Sequence, residues 1–414
     1  MLKVPRIVSI CPVSSFSTSS PRVDRSQAKV FPLQHLSDHE KSVVDTARNF
    51  ARRSVKPLVK QMDRDAKLDK KLVEEAFDRK LMGLAVSEKF GGSGGSFFDV
   101  AVTVEELAKV DPSVSLMVHI QNALAAPLLQ DHGSEEQKEK YLPRVCKDTI
   151  GAFALSETGS GSDAFAMKTT ATSDGDDFVL NGSKWGISNA PIADFFLVFA
   201  TTNPEHGYKG VTCFVLDRNL KGLVVGEQDD NLGMRAGATS QLHFQNVRVP
   251  KSAVVGEIGK GYKYAIDVLN ASRVVIGAQM VGLAQGCFEQ TIPHLQERKQ
   301  FGSRLIDFQG LQHQIARVHV EIEAARLLVY NTARLKDLGM PFVKDASIVK
   351  FFAPEVACKT AKQCVEWLGG IGFTKNCWAE KYYRDAIVGN IYEGTSNIQL
   401  NTIAKILDNE YKKK

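Results

Sequence analysis

Long apolar runs, metal-ligand spacings and nucleotide fingerprints are all scarce in this sequence, and each absence narrows what the chain can be. The longest apolar run, around Phe195 to Ala200, falls far short of the roughly 20 residues that cross a bilayer, so no transmembrane segment is expected. Seven cysteines (Cys11, Cys146, Cys213, Cys287, Cys358, Cys364, Cys377) give an odd count with no CxxC and no histidine pair at zinc spacing. They read as reduced thiols, and no metal is expected. Lys and Arg number 52 against 47 Asp and Glu, with both signs interspersed and no long basic block, which argues against a nucleic-acid partner. Gly159-Ser160-Gly161 lacks the third glycine of a Rossmann loop, Gly370-Ile371-Gly372 follows a helical rather than a strand pattern, and there is no Walker A lysine loop. No acid precedes Asp24, while Lys3, Arg6, Arg22 and seven Ser/Thr between Ser9 and Ser20 are present. Residues 1 to 25 thus read as a mitochondrial presequence, with a plain amino-terminal tail as the other reading.

What remains has an ordinary globular balance, 43% hydrophobic and 24% charged, over a length that suits two or three domains. Residues 36–150 are predicted to be an all-α domain, with amphipathic stretches over 42–62 and 70–81. Residues 151–260 switch to β patterning: Val211 to Leu216 is β-rich, Leu242 and Phe244 alternate with His243 and Gln245, and Asn181-Gly182 predicts a hairpin turn. Helical spacing returns over 261–410, where Ile315, Val318, Ile322, Ala325 and Val329 share a face, and Pro354 is expected to kink or break its helix. The fold class is therefore multi-domain α+β, with an α, β, α order that departs from the alternating nucleotide folds.

Four segments carry the chemistry: Leu155 to Asp163 (Leu-Ser-Glu-Thr-Gly-Ser-Gly-Ser-Asp), Asn181 to Asn189, Glu297 to Gly302 (Glu-Arg-Lys-Gln-Phe-Gly), and Ile391 to Gln399 (Ile-Tyr-Glu-Gly-Thr-Ser-Asn-Ile-Gln). With them the sequence resembles the acyl-CoA dehydrogenase family from about Phe31 to its end, and most of all its short/branched-chain branch. The resemblance implies a β-barrel-like middle domain, a four-helix-bundle-like carboxy-terminal domain, bound FAD, and Glu393 as the base that takes a proton beside a thioester. Such a base needs a dry pocket that lifts its pKa from about 4.3. Some relatives carry the base on the preceding Asn-x-x-Arg helix, where this chain has Ser272.

By the same resemblance, Phe153, Leu155, Ser156, Thr158, Gly161, Ser162, Gly186, Ile187, Ser188, Thr395, Ser396 and Asn397 lie along the flavin. Arg298, Gln309 and Glu366-Trp367-Leu368-Gly369-Gly370 contact FAD as well, several of them from a neighbouring subunit, which implies a homotetramer. Ser162, Tyr208, Tyr262, Asn270, Ala271, Ser272 and Arg273 are the expected substrate contacts. The implied reaction is acyl-CoA + FAD → trans-2-enoyl-CoA + FADH2 on a 2-methylbutyryl-CoA-like substrate, in the mitochondrial matrix, with electron-transferring flavoprotein as partner. One departure stands out: Trp185-Gly186 replaces the family's usual Met-Trp pair. It keeps two other readings in view, the same site run backwards as a 2-methyl-branched enoyl-CoA reductase, and a non-catalytic binding or assembly protein.

Overall fold

Helix starts in the first third of the chain are set by side chains that satisfy otherwise unpaired amides. In the computed structural model, which describes residues 32–412, Ser37, Ser96 and Ser134 each close a capping box with the third residue of the following helix. The expected presequence, residues 1–25, lies outside the described residues. The helices are α1 (Asp38–Phe50), α2 (Val59–Asp65), α3 (Lys70–Asp78), α4 (Phe97–Ala108), α5 (Pro112–His119), α6 (Ala126–His132) and α7 (Glu135–Lys147). Every residue of α4 is buried, because α1, α5 and two of the long helices of the carboxy-terminal part pack on it.

Eight strands follow: β1 (Gly151–Ala154), β2 (Thr170–Asp174), β3 (Asp177–Ile187), β4 (Phe195–Thr201), β5 (Val211–Asp217), β6 (Leu223–Gln228), β7 (Ser240–Pro250) and β8 (Val254–Val255). They form one sheet in the order β6-β7-β3-β2-β4-β5-β8, with β1 beside β4. β2 meets β4 at a single pair, Thr170 and Thr201, so the sheet is two halves joined at one point. Leu242 and Phe244 face the core while His243 and Gln245 face water, as their alternation predicts.

The expected turn at Asn181-Gly182 is not there. Both residues lie inside β3, at a register shift against β7, and the chain reverses instead at Gly175-Asp176 between β2 and β3. Asn181 Oδ1 accepts the Asn246 backbone N–H at 2.8 Å across the bulge. An Asn-Gly pair suits either a turn or a bulge, since both need an unusual backbone.

The remaining elements are α8 (Gly261–Glu297), the small hairpin β9 (Lys299–Gln300) and β10 (Ser303–Arg304), α9 (Gln309–Asp337), α10 (Val343–Leu368), α11 (Trp378–Ala386) and α12 (Ser396–Tyr411). α8 and α10 pack along each other, flanked by α9 and α12. α8 also presses on α4. A Cβ at Gly282 would stand 2.2 Å from the Glu105 carbonyl oxygen, and one at Gly286 would stand 2.0 Å from that of Lys109, so these positions admit only glycine. Pro354 does not break its helix, which runs unbroken from Val343 to Leu368. Burial against α8 outweighs the ~3 kcal/mol that an interior proline costs.

α8 alone is long and apolar enough, among the described residues, to match a membrane span by composition, yet 72% of its most apolar window is buried in the protein. It is the core helix of the carboxy-terminal domain, assembled from short apolar groups instead of one continuous run.

Candidate active site

Glu393 sits in a backbone conformation that non-glycine residues seldom adopt, with φ at 51°, and Gly394 follows at 98°. Such a turn persists only when its surroundings hold it. Three helices do so. Arg273 of α8 donates from Nε to the Glu393 carbonyl at 3.3 Å, Lys350 of α10 donates to the Gly389 and Gly394 carbonyls at 2.6 and 3.2 Å, and Gln399 of α12 donates to Gly394 at 2.9 Å. Tyr392 donates its hydroxyl to Gln279 of α8, and Thr395 caps α12 by accepting from Ile398 N–H. The turn is thereby pinned on both sides of the carboxylate.

The Glu393 side chain is 9% exposed, and neither carboxylate oxygen has a hydrogen bond of good geometry among the described residues. Burial pushes its pKa up to about 7, against the opposing pull of the Ser272 hydroxyl, Lys350 and Arg273. Burial likewise brings Lys350 down to about 8. His119, at the end of α5 where a single π-helical turn (Ile120–Ala125) begins, stands 3.3 Å from Glu393 Oε1 and 2.6 Å from Ser272 Oγ. Burial lowers the His119 pKa to about 3, so the imidazole is neutral and makes no ion pair. A buried carboxylate that is still half ionised near neutral pH can accept a proton from a weak carbon acid.

Asn270, Ala271 and Ser272 are buried, and Arg273 Nη1 donates to Asn270 Oδ1 at 2.7 Å. Tyr262, two turns earlier on α8 and about 12 Å from Asn270 along the axis, meets Tyr208 edge-on at 4.9 Å and Phe165 at 6.3 Å. Tyr208, Tyr262 and Phe165 thus form one aromatic group, while Arg273, further along α8, bonds Asn270 and the Glu393 turn.

The loop after β1 is held to β3 in two ways. Ser156 accepts the Trp185 N–H at 2.9 Å, and buried Lys184 donates to the Leu155 carbonyl and the Glu157 carboxylate at 2.9 and 2.8 Å. Glu157 also accepts the Lys168 and Thr169 amides. Leu155 and Ser156 are in consequence tied to Lys184 and Trp185, immediately before Gly186, Ile187 and Ser188; Thr158, Gly161 and Ser162 follow in the same loop, and Phe153 lies on β1. A side chain added at Gly159, Gly161 or Gly186 would meet open space. An open-sided backbone with hydroxyls at Ser156, Thr158, Ser162 and Ser188 fits the polar edge of a flavin ring. Gly186 has φ at 69° within a second bulge of β3, between the pairs Lys184–Leu242 and Ile187–Ser240. Strict strand alternation therefore fails there, and Trp185 lies 48% exposed.

Arg298, Gln309, Glu366, Gly369 and Gly370 occupy the far end of the helical domain, mostly exposed, with Trp367 Nε1 donating to Gln314 at 2.8 Å and Leu368 buried. No hydrogen bond or ion pair among the described residues joins this group to Glu393. Sequence reading missed His119, Lys350, Lys184, Gln279 and Gln399. A signal existed for two: His119 and Lys350 each interrupt an apolar stretch, Leu116 to Ile120 and Ile348 to Phe352.

An α, β, α chain with a buried carboxylate and an open-sided loop suited to flavin is the architecture of a flavin-dependent oxidoreductase. Family models agree: the acyl-CoA dehydrogenase N-terminal, middle and C-terminal domains match residues 37–149, 152–247 and 259–407 in turn, and the chain belongs to the acyl-CoA dehydrogenase family. Within it, the chain is 51% identical over 380 residues to the short/branched chain specific acyl-CoA dehydrogenase, mitochondrial, of Rattus norvegicus, covering 92% of this chain and 88% of that one. Butyryl-CoA dehydrogenase of Megasphaera elsdenii has the same fold, with a TM-score of 0.89 and 35% identity over 90% of this chain and 99% of that chain. A glutaryl-CoA dehydrogenase from Mycobacterium smegmatis, solved in complex with FADH2, matches with a TM-score of 0.86 and 30% identity over 90% and 95% of the two chains. The family cofactor is FAD.

Proposed function

We propose that this chain oxidises a short, branched acyl-CoA to its trans-2-enoyl-CoA, with Glu393 as the base. The observation that carries the proposal is the Glu393 carboxylate, buried, free of hydrogen bonds of good geometry, and raised in pKa into the range where it can both take and release a proton. Glu393 takes the proton from the carbon beside the thioester carbonyl as that C–H bond breaks. Bound FAD supplies the redox chemistry by accepting the hydrogen of the next carbon with its electron pair.

Leu155, Ser156, Thr158, Gly161, Ser162, Gly186, Ile187 and Ser188, with Thr395, Ser396 and Asn397, are the residues that would hold the flavin, and Arg298 suits its pyrophosphate by a bidentate grip. Ser162, Tyr208, Tyr262 and the 270–273 segment would guide the acyl-CoA. Exposed Phe301 and Phe373, at 97% and 89%, support burial between copies of the chain, in keeping with a tetramer. Import into the mitochondrial matrix and electron delivery to electron-transferring flavoprotein complete the reading, supported by the composition of residues 1–25 and by the mitochondrial relative.

A panel of butyryl-, isobutyryl-, 2-methylbutyryl- and hexanoyl-CoA tests the substrate. The highest kcat/KM is expected for 2-methylbutyryl-CoA; a preference for hexanoyl-CoA would overturn the branched-chain assignment.

A further inference from the structure

We propose that His119 is a positioning residue for the base: through Ser272 it keeps a hydrogen-bond donor aimed at the Glu393 carboxylate. The inference rests on the reading of Glu393 given above and extends it to a residue outside the four segments that carry the chemistry in the sequence. Three side chains from three parts of the chain converge here. His119 closes α5, Ser272 lies on α8, and Glu393 precedes α12; His119 and Ser272 are each fully buried. His119 Nε2 is 2.6 Å from Ser272 Oγ and 3.3 Å from Glu393 Oε1, whereas its Nδ1 has no partner among the described residues.

That asymmetry selects a tautomer. A proton on Nδ1 would leave a buried N–H with nothing to donate to, while a proton on Nε2 leaves only an unpaired lone pair, the lesser penalty. The Nε2–H then donates to Ser272 Oγ, and the serine hydrogen is free to turn to the carboxylate. A relay of two donors favours the ionised carboxylate. Ser272 indeed pulls the Glu393 pKa down against the larger effect of burial.

The other groups facing Glu393 come from every element packed on it: Arg273 from α8, Lys350 from α10, and the Tyr392 phenol beside it in the chain. Arg273 and Lys350 spend their hydrogen bonds on the carbonyls of this turn and on Asn270, so they act on the carboxylate only through their charge. Among the described residues no hydrogen bond of good geometry reaches the carboxylate in this structure; Ser272 is the neutral hydroxyl that lowers its pKa, and His119, 2.6 Å away, is what leaves that hydroxyl's hydrogen free to turn to it. His119 itself carries no charge over the working range, because burial alone holds its pKa far below neutral. Its role is thus to direct a hydrogen bond, and it neither takes nor delivers a proton.

The test uses the FAD-loaded full chain and the variants His119→Phe, His119→Gln, Ser272→Ala and Glu393→Gln. Two readouts are followed against pH: kcat/KM, and the infrared carboxyl band that disappears in Glu393→Gln. Loss of one hydrogen bond to a charged group should move the midpoint of both upward by about 1 pH unit in His119→Phe and in Ser272→Ala. It should lower kcat/KM roughly tenfold below the parent's midpoint, with recovery at alkaline pH. His119→Gln, whose amide can still donate, should return the midpoint most of the way. Ser272→Ala removes a single oxygen and covers the case in which His119→Phe does not fold.

Midpoints that stay at the parental value in His119→Phe or Ser272→Ala would overturn the inference, even if the variant is less stable, because a merely structural histidine would leave the titration unmoved. An inactive Glu393→Gln beside unmoved midpoints would sink this inference alone. A fully active Glu393→Gln would sink the reading of the base itself, and this inference with it.

Discussion

Arg273 grips Glu393 by its backbone, with the guanidinium Nε 3.3 Å from the Glu393 carbonyl oxygen and Nη1 committed to Asn270 at 2.7 Å. The carboxylate is left without that cation as a hydrogen-bond partner, and the left-handed turn at φ 51° is fixed. Position and reactivity are in this way controlled by separate contacts.

Arg273→Lys tests the grip. A lysine keeps the charge but not the planar fork, so the turn should relax and misplace the base. We expect kcat to fall by about 10- to 100-fold with less change in KM, since small errors in the placement of a base are costly. Steady-state kinetics beside circular dichroism would check it, and an unchanged kcat would contradict the role.

The pH dependence of stability follows from the raised pKa of Glu393, about 7 in the folded protein against 4.5 for an unperturbed glutamate. Between those values the folded chain binds more protons than the unfolded one. Stability is therefore lost as pH rises through that window, to a total of about 3 kcal/mol above it. Glu393→Gln removes the penalty, so urea unfolding should find the variant more stable than the parent at about pH 8 and little different at about pH 4. Equal differences at both pH values would contradict a raised pKa.

Lys184 and Glu157 form a buried ion pair that anchors the loop after β1, and burial lowers the Lys184 pKa to about 8. Lys184→Met leaves the Glu157 charge without its partner, at a cost of roughly 3–5 kcal/mol. Because the loop it anchors borders the open backbone of Gly161 and Gly186, the flavin should dissociate more readily. The measurements are Tm and the ratio of bound FAD to protein; a variant as stable and as yellow as the parent would argue that the pair is incidental.

Much of this architecture was legible in the sequence because local signals and tertiary needs agree. Leu242 and Phe244 alternate on a half-buried strand, and Ile322, Ala325 and Val329 repeat along a helix face, so periodicity alone assigns them. Asn181-Gly182 and Pro354 were misleading, since a bulge shares its chemistry with a turn and packing overrides the cost of a proline. Glu393 could be singled out through the run from Ile391 to Gln399. His119 shows in the sequence only as an interruption of the apolar stretch Leu116 to Ile120; its role could not be read, because it depends on Ser272 and Glu393, 153 and 274 residues away in the chain, and on a π-helical turn that no short pattern announces. Lys350 is similar: its work is to bond two carbonyls that come together only in the folded protein.

The most direct measurement is anaerobic mixing of 2-methylbutyryl-CoA with FAD-loaded Glu393→Gln, following the loss of flavin colour. With the fold and the yellow cofactor retained, bleaching should slow by about 10³-fold relative to the parent, within the range expected for removing a general base. Bleaching at the parental rate would show that another group removes the proton, and would contradict the account.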